Sequence, residues 1–270
     1  MLIKSAEFVV FDVETTGLNP EQGDKICEIG AVKVKDLKIT SSFNSLVNPQ
    51  RDIPQQASAI HGIVQGDVAA CPSFEEIIDG FLEFIEDLPI FAYNIGFDLS
   101  FLNPQLKSAN REPLVNPPVD ILIICRTLLK DLARFNLSSV ARFFNIPQDT
   151  SHRAKQDSQV AADVFVKMVP YLEEKGILTL ENIYTVFGAN KGLSFKINNS
   201  KISLIQEALA EGTKLRIRYY SLYKNELTER EVLPLRIENA GYKISLVARC
   251  FLREEERSFN LDRVVDLEIV

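Results

Sequence analysis

Residues 8–13 read Phe-Val-Val-Phe-Asp-Val, an apolar and partly β-branched run that predicts a buried strand. Side chains alternate across a strand, so Asp12 and Glu14 share one face while Val9, Phe11 and Val13 share the other. Thr15-Thr16-Gly17 ends the run in a turn. Residues 25–34 and 38–47 predict two more strands, and the short polar links suggest an antiparallel meander. Residues 49–66 read as loop with a short helix. Ser73, with Glu76 in capping-box position, opens an amphipathic helix in which Phe74, Ile77, Ile78, Phe81, Ile85 and Leu88 recur at helical spacing. Pro89 stops it, and residues 90–93 form a short fourth strand. A helix carrying Phe97, Asp98, Phe101 and Leu102 follows, then a fifth apolar strand at 119–124. Two helices near 127–133 and 137–144 lead to a long one from about 153 to 174.

Strands first, then alternating helix and strand, predict an α/β three-layer domain over 1–175. Residues 176–199 change character, with glycines and paired asparagines, and read as a connector with room for a short helix at 180–186. From 200 onward one helix, at 203–210, precedes strand-like runs at 214–220, 231–237, 242–251, 257–260 and 264–270. That is a small, mostly β domain over 200–270.

Charge is unevenly shared between these parts. The net charge is −7, and residues 200–270 hold 12 basic and 12 acidic side chains, so the whole excess lies in residues 1–199. Such a protein is not a general polyanion binder, yet a divalent metal can supply local positive charge in an acidic cleft. Cys27, Cys71, Cys125 and Cys250 are far apart and fit no zinc spacing, so free thiols in a reducing compartment are expected. With no membrane-length apolar run and no signal-peptide layout, the expected location is cytoplasmic. Two histidines, His61 and His152, are too few for a polyhistidine metal site.

The candidate chemistry starts from Asp12 and Glu14. Two carboxylates side by side on an apolar strand repel each other and lose hydration, which demands a cation or a proton unless both are simply solvated at a strand end. Asp98 stands where a strand end turns into a helix, a place where α/β sites gather, although an acid there also complements the helix dipole. Asp157 lies four, seven and eleven residues before Ala161, Val164 and Met168, on the apolar stripe of its helix. An acid on a buried face is hard to explain as solvation. His152 lies at or just before the first turn of that helix, either as a surface residue or leaning over the acids as a base. His61 is expected to close or position a loop.

Together these residues resemble the DEDDh 3′–5′ exonuclease family, typified by the proofreading ε subunit of bacterial DNA polymerase III. The resemblance covers roughly 6–174 and rests on three motifs in order: Phe-Asp12-Val-Glu14-Thr-Thr-Gly-Leu, Asn94-Ile-Gly-Phe-Asp98-Leu-Ser-Phe-Leu, and His152-Arg-Ala-Lys-Gln-Asp157. Ile60-His61-Gly62-Ile63 also matches the family's loop after the third strand. Tyr93 stands where the family often has His, and Pro104 falls inside the helix after Asp98, where a kink is expected.

The resemblance implies a ribonuclease H-like fold, a mixed five-stranded sheet flanked by helices. It implies two Mg²⁺ or Mn²⁺ ions, roughly 3.5–4 Å apart, clamping a scissile phosphate. Asp12, Glu14 and Asp157 would hold one ion, and Asp12 and Asp98 would hold or position the other. His152 would take the proton from the attacking water. Thr15, Thr16, Gly17 and Leu18 would approach the 3′-terminal nucleotide, with Leu18 wedging at its base. Asn94, Phe97 and His61 would complete the substrate site, Phe97 by stacking. The implied substrate is the 3′ end of single-stranded nucleic acid, DNA ahead of RNA, with a polymerase or repair protein as a possible partner.

Residues 216–220, 228–235 and 257–264 resemble a WYL domain, an SH3-like β-module, with Ile244-Ser245-Leu246 in place of the name-giving Trp-Tyr-Leu. The resemblance implies a nucleotide or nucleic-acid ligand there, contacted by Tyr219, Arg230, Arg249, Arg257 and Arg263; the competing reading is that these arginines pair with nearby acids. Two other readings of the whole chain stand beside the exonuclease: a ribonuclease acting on short RNA, and a non-catalytic nucleic-acid-binding regulator.

Overall fold

The computed structural model describes every residue except 131, 149–151, 188–190, 222–225 and 241–243, and no side chain of 191–199. The chain divides into two compact units, Lys4–Val169 and Pro170–Val270 with Met1–Ile3.

The first unit is built on strands β1 (Glu7–Thr15), β2 (Ile26–Lys35) and β3 (Lys38–Leu46), which form the expected antiparallel meander. Helices α1 (Gln55–His61), α2 (Gln65–Val68) and α3 (Phe74–Ile85) follow, then β4 (Ile90–Ala92), α4 (Ile95–Ser108) and β5 (Pro118–Asp120). The sheet order is β3-β2-β1-β4-β5, with β4 parallel to β1 and β5 parallel to β4. This is the ribonuclease H-like arrangement, a mixed sheet flanked by helices. Helices α5 (Ile121–Leu128), α6 (Leu137–Phe143) and the long α7 (Ala154–Glu174) complete the unit, α7 running on into the second.

The alternation in β1 sorts its side chains as expected. Val9, Phe11 and Val13 are buried with Phe81 of α3 and Phe101 of α4 in one apolar cluster. On the opposite face Phe8 stacks with Phe91 of β4 at 4.4 Å and meets Phe165 of α7 edge-on at 5.2 Å. Asp12 and Glu14 continue that second face. The α3 start is fixed by Glu76, which accepts the Ser73 N–H at 2.7 Å.

Two expectations need correction. The apolar run 119–124 is not one strand: β5 stops at Asp120 and α5 begins at Ile121. The Asp120 carboxylate accepts the N–H groups of Leu122 and Ile123, so an N-cap overrides the β-branched composition of Ile121–Ile124. In place of the helix expected at 127–133, of which residue 131 lies outside the described residues, α5 ends at Leu128 and Leu129 is extended. Pro104 lies inside α4, which runs to Ser108. The carbonyl that loses its donor belongs to Ser100, an exposed residue.

In the second unit, the stretch read as a connector contains α8 (Leu180–Phe187) and the first half of α9 (Lys191–Glu211). Strands β6 (Leu215–Ser221), β7 (Glu226–Asn239), β8 (Ile244–Cys250), β9 (Glu255–Asn260) and β10 (Val264–Ile269) form one antiparallel sheet in the order β10-β6-β7-β8-β9. Its core gathers Ile205 and Ala208 of α9 with Leu215, Ile217, Val232, Leu246 and Phe259. None of the described helices is long and apolar enough to cross a membrane.

Candidate active site

The first turn of α7 lies against the end of β1, and this brings together Asp12, Glu14 and Asp157. Ligand oxygens of these three carboxylates all lie within 4.8 Å of one another. Below Asp157 on the same helical stripe, Ala161, Val164 and Met168 are buried, as the periodicity predicts. Asp98, 2% exposed in the first turn of α4, is buried beside this group without being part of it. Its Oδ1 accepts the Val13 N–H at 3.1 Å, a β1 donor lying beyond the end of β4.

Such crowding has an electrostatic signature. Burial, then repulsion from Asp98, Glu14, Asp157 and Glu28, holds the Asp12 carboxyl well above its ordinary range. Glu14 is pushed up to about 8, first by burial and then by Asp157 and Glu28. Asp98 is raised by burial against two backbone hydrogen bonds that oppose it, and Asp157 is raised by burial while His152 opposes it. Each of these shifts opposes a bare negative charge, and a bound cation would relieve it. Convergent hard oxygen donors fit a divalent ion of the Mg²⁺ or Mn²⁺ type.

His152 is half-exposed at the mouth of the site, with Nδ1 at 3.2 Å from Asp157 Oδ2. An Nδ1–H donated to this carboxylate leaves Nε2 as the proton acceptor.

Two features that the sequence reading missed bring α7 this close. Glu28 of β2 lies opposite Glu14 in the ladder and is 1% exposed. It takes both arms of Arg153, Nε at 2.9 Å and Nη2 at 2.7 Å, and also the Ala154 N–H at 3.0 Å. The acid in an otherwise apolar strand, and the Arg directly after His152, were the signals available. Gly30, opposite Asp12, is the second feature: a Cβ there would collide with the backbone of Ala154 and Lys155. Only glycine lets the first turn of α7 approach the sheet at this point.

Next to the acids is a cleft of about 500 Å³ lined by Glu14, Thr15, Thr16, Gly17, Leu18, Ile60, His61 and Phe97 among others. Leu18 is 80% exposed and Ile60 60% exposed at this cleft, so apolar side chains stand free beside the acids. The turn that carries Leu18 is tied to Asp24, which accepts from Thr16 Oγ1 at 3.3 Å and the Asn19 N–H at 3.0 Å and pairs with Arg51 at 3.1 Å. A Cβ on Gly17 would strike that carboxylate. Thr15 Oγ1 closes the turn on the Gly17 carbonyl at 2.6 Å.

His61 is buried, and its Nδ1 accepts the Ile63 N–H at 3.1 Å. Burial lowers its pKa, with a hydrogen bond to the Thr15 backbone opposing. It is a neutral imidazole joining the α1 loop to the end of β1. Asn94 does not line the cleft. It is the left-handed N-cap of α4, with φ 74°, and its N–H donates to Asp120 Oδ1 at 3.2 Å. Tyr93, at the family's frequent His position, donates its hydroxyl to the Phe135 carbonyl at 2.6 Å.

Residues 9–165 match the exonuclease family model, more than half of the chain. The chain belongs to the exonuclease family. Residues 200–269 match the WYL domain model. Among curated relatives of this exonuclease, the PolC-type DNA polymerase III of Caldanaerobacter subterraneus subsp. tengcongensis is 39% identical over 180 residues, covering 67% of this chain and 13% of that protein. The PolC-type enzyme of Thermotoga petrophila is 38% identical over the same length, 67% of this chain and 13% of its own. The chain thus spans about one eighth of the length of the polymerases it matches. Among solved structures, the nuclease domain of 3′hExo, a DEDDh family member bound to rAMP, superposes with TM-score 0.56 at 18% identity, covering 66% of this chain and 98% of that one. E. coli Exonuclease I in complex with a dT13 oligonucleotide superposes with TM-score 0.60 at 16% identity, covering 90% and 55%.

Proposed function

We propose that this exonuclease is a metal-dependent 3′–5′ enzyme that hydrolyses the terminal phosphodiester of single-stranded nucleic acid, DNA ahead of RNA, and releases nucleoside 5′-monophosphates. The observation that carries the reading is the Asp12–Glu14–Asp157 group, whose ligand oxygens lie within 4.8 Å of one another beside a cleft with exposed apolar walls.

Asp12, Glu14 and Asp157 would hold a divalent ion, and Asp98 would position a second ion beside Asp12. Bound there, the ions would offset the charge building up on the phosphate oxygens and lower the pKa of a bound water. His152 accepts the water proton at Nε2 while Asp157 orients it through Nδ1. The water oxygen bonds to phosphorus, the bond from phosphorus to the 3′ oxygen breaks, and the shortened strand keeps a 3′-hydroxyl. The Thr15–Leu18 turn receives the terminal nucleotide, Leu18 and Phe97 flank its base, and His61 holds the opposite wall.

The WYL-like part would supply a second nucleic-acid or nucleotide contact. Support comes from Arg230, whose guanidinium carbon lies 5.7 Å above the Phe259 ring, with Tyr219 edge-on to the same ring at 5.3 Å. Arg257 instead lies 3.7 Å from Glu255, as the ion-pair reading expects.

The test is hydrolysis of 3′-labelled and 5′-labelled DNA and RNA strands in Mg²⁺ and in EDTA. The expected result is mononucleotide release from the 3′ label first, lost in EDTA and lost in Asp12→Ala. Unchanged release by Asp12→Ala refutes the site.

A further inference from the structure

The segment between β5 and α7 carries charge opposite to the rest of its unit. Residues 121–148 hold four basic side chains, Arg126, Lys130, Arg134 and Arg142, against one acid, Asp131. Arg134 and Arg142 line one surface pocket of about 350 Å³ together with Ser139 and Phe143. Both arginines are exposed, and neither has a carboxylate partner among the described residues. Phe143 is 43% exposed, and its ring is set edge-on against Phe144 at 4.9 Å.

The backbone beside Arg134 is fastened to the end of β4. Phe135 accepts the Tyr93 hydroxyl there, and Asn94 and Asp98 follow directly on the chain. The pocket therefore flanks the same end of the sheet as the cleft, yet no residue lines both.

Unpaired guanidiniums match phosphate oxygens in planar forks, and an exposed aromatic face takes a base of any identity. An ion-paired structural surface would set carboxylates against these arginines. We propose that the Arg134–Arg142–Phe143 pocket is a second binding subsite for single-stranded nucleic acid, holding internal phosphates and a base upstream of the 3′ terminus. It rests on the exonuclease reading above and adds a positively charged contact for a polyanion to a part of the chain whose net charge is negative. Binding there is tolerant of sequence, because phosphates and ring faces are common to every nucleotide.

The experiment uses the full chain carrying Asp12→Ala, so that bound strand is not degraded. Fluorescence anisotropy with a labelled single strand of about 12 nucleotides, and with a labelled dinucleotide, is followed across salt concentrations. Adding Arg134→Glu and Arg142→Glu should weaken the long strand roughly tenfold and shrink its advantage over the dinucleotide. The salt slope should fall by about 1.4, two phosphates at about 0.7 each. Phe143→Ala should weaken the long strand and leave that slope in place. Lys107→Glu, on α4, is the charge control. An equal loss from Lys107→Glu, an unchanged slope, or equal losses for long strand and dinucleotide would each overturn the subsite. Lost binding of an acidic peptide with strand binding intact would assign the pocket to a protein partner and overturn it too. A parent protein that binds neither nucleic acid refutes the exonuclease reading itself, a result distinct from all of these.

Discussion

Glu14→Gln should make the metal-free protein more stable while removing a metal ligand. Glu14 ionises near 4.5 in an unfolded chain and near 8 in the fold, because burial, Asp157 and Glu28 all oppose its charge. The fold therefore binds this proton more tightly than the unfolded chain does, and stability falls as pH rises from about 4.5 to about 8. At pH 7 the difference of about 2.5 units corresponds to about 3 kcal/mol. Glutamine keeps the shape without the titration, so the variant should melt roughly 5–10 °C higher in EDTA at pH 7. The gain should vanish as the pH falls well below about 4.5, where the wild-type carboxyl is protonated in both states. Saturating Mn²⁺ should reverse the order, since an ion that binds the fold stabilises it by mass action and the wild type offers the better donor set. Thermal denaturation at two pH values, with and without Mn²⁺, reads all of this. A variant that melts at or below the wild type in EDTA at pH 7 would refute the claim that burial and the neighbouring acids oppose the Glu14 charge.

The clamp that seats α7 gives a second expectation. Arg153→Ala leaves the buried Glu28 without its cation, though still holding the Ala154 N–H, and should cost about 1–3 kcal/mol by chemical denaturation, with Arg153→Lys recovering part of it. Gly30→Ala forces α7 off β2, and should lower Mn²⁺ affinity by calorimetry along with the melting temperature. His152→Ala should reduce kcat by a factor of about 10²–10⁴ with Mn²⁺ affinity kept, which separates a proton acceptor from a ligand.

Much of the site was legible before any coordinates. The alternation of β1 put Asp12 and Glu14 on one face, and the helical stripe through Ala161, Val164 and Met168 put Asp157 on a buried one. Both are short-range periodicities, fixed by backbone geometry and carried whole by local sequence. The motif order then linked segments that lie far apart along the chain.

Other features depended on neighbours that local pattern does not name. Ile121–Ile124 reads as strand until the Asp120 carboxylate turns to cap it as a helix. Asn94 reads as a substrate contact, and the fold gives its backbone N–H a separate task at the Asp120 carboxylate. Asp98 counts as one acid of four in sequence, and the fold gives one of its oxygens to Val13. The amino-acid sequence by itself determined which acids face inward and on which elements they ride. Only the tertiary structure decided how near they come, because that spacing is set by Gly30 and the Glu28–Arg153 pair, contacts between β2 and α7 more than a hundred residues apart.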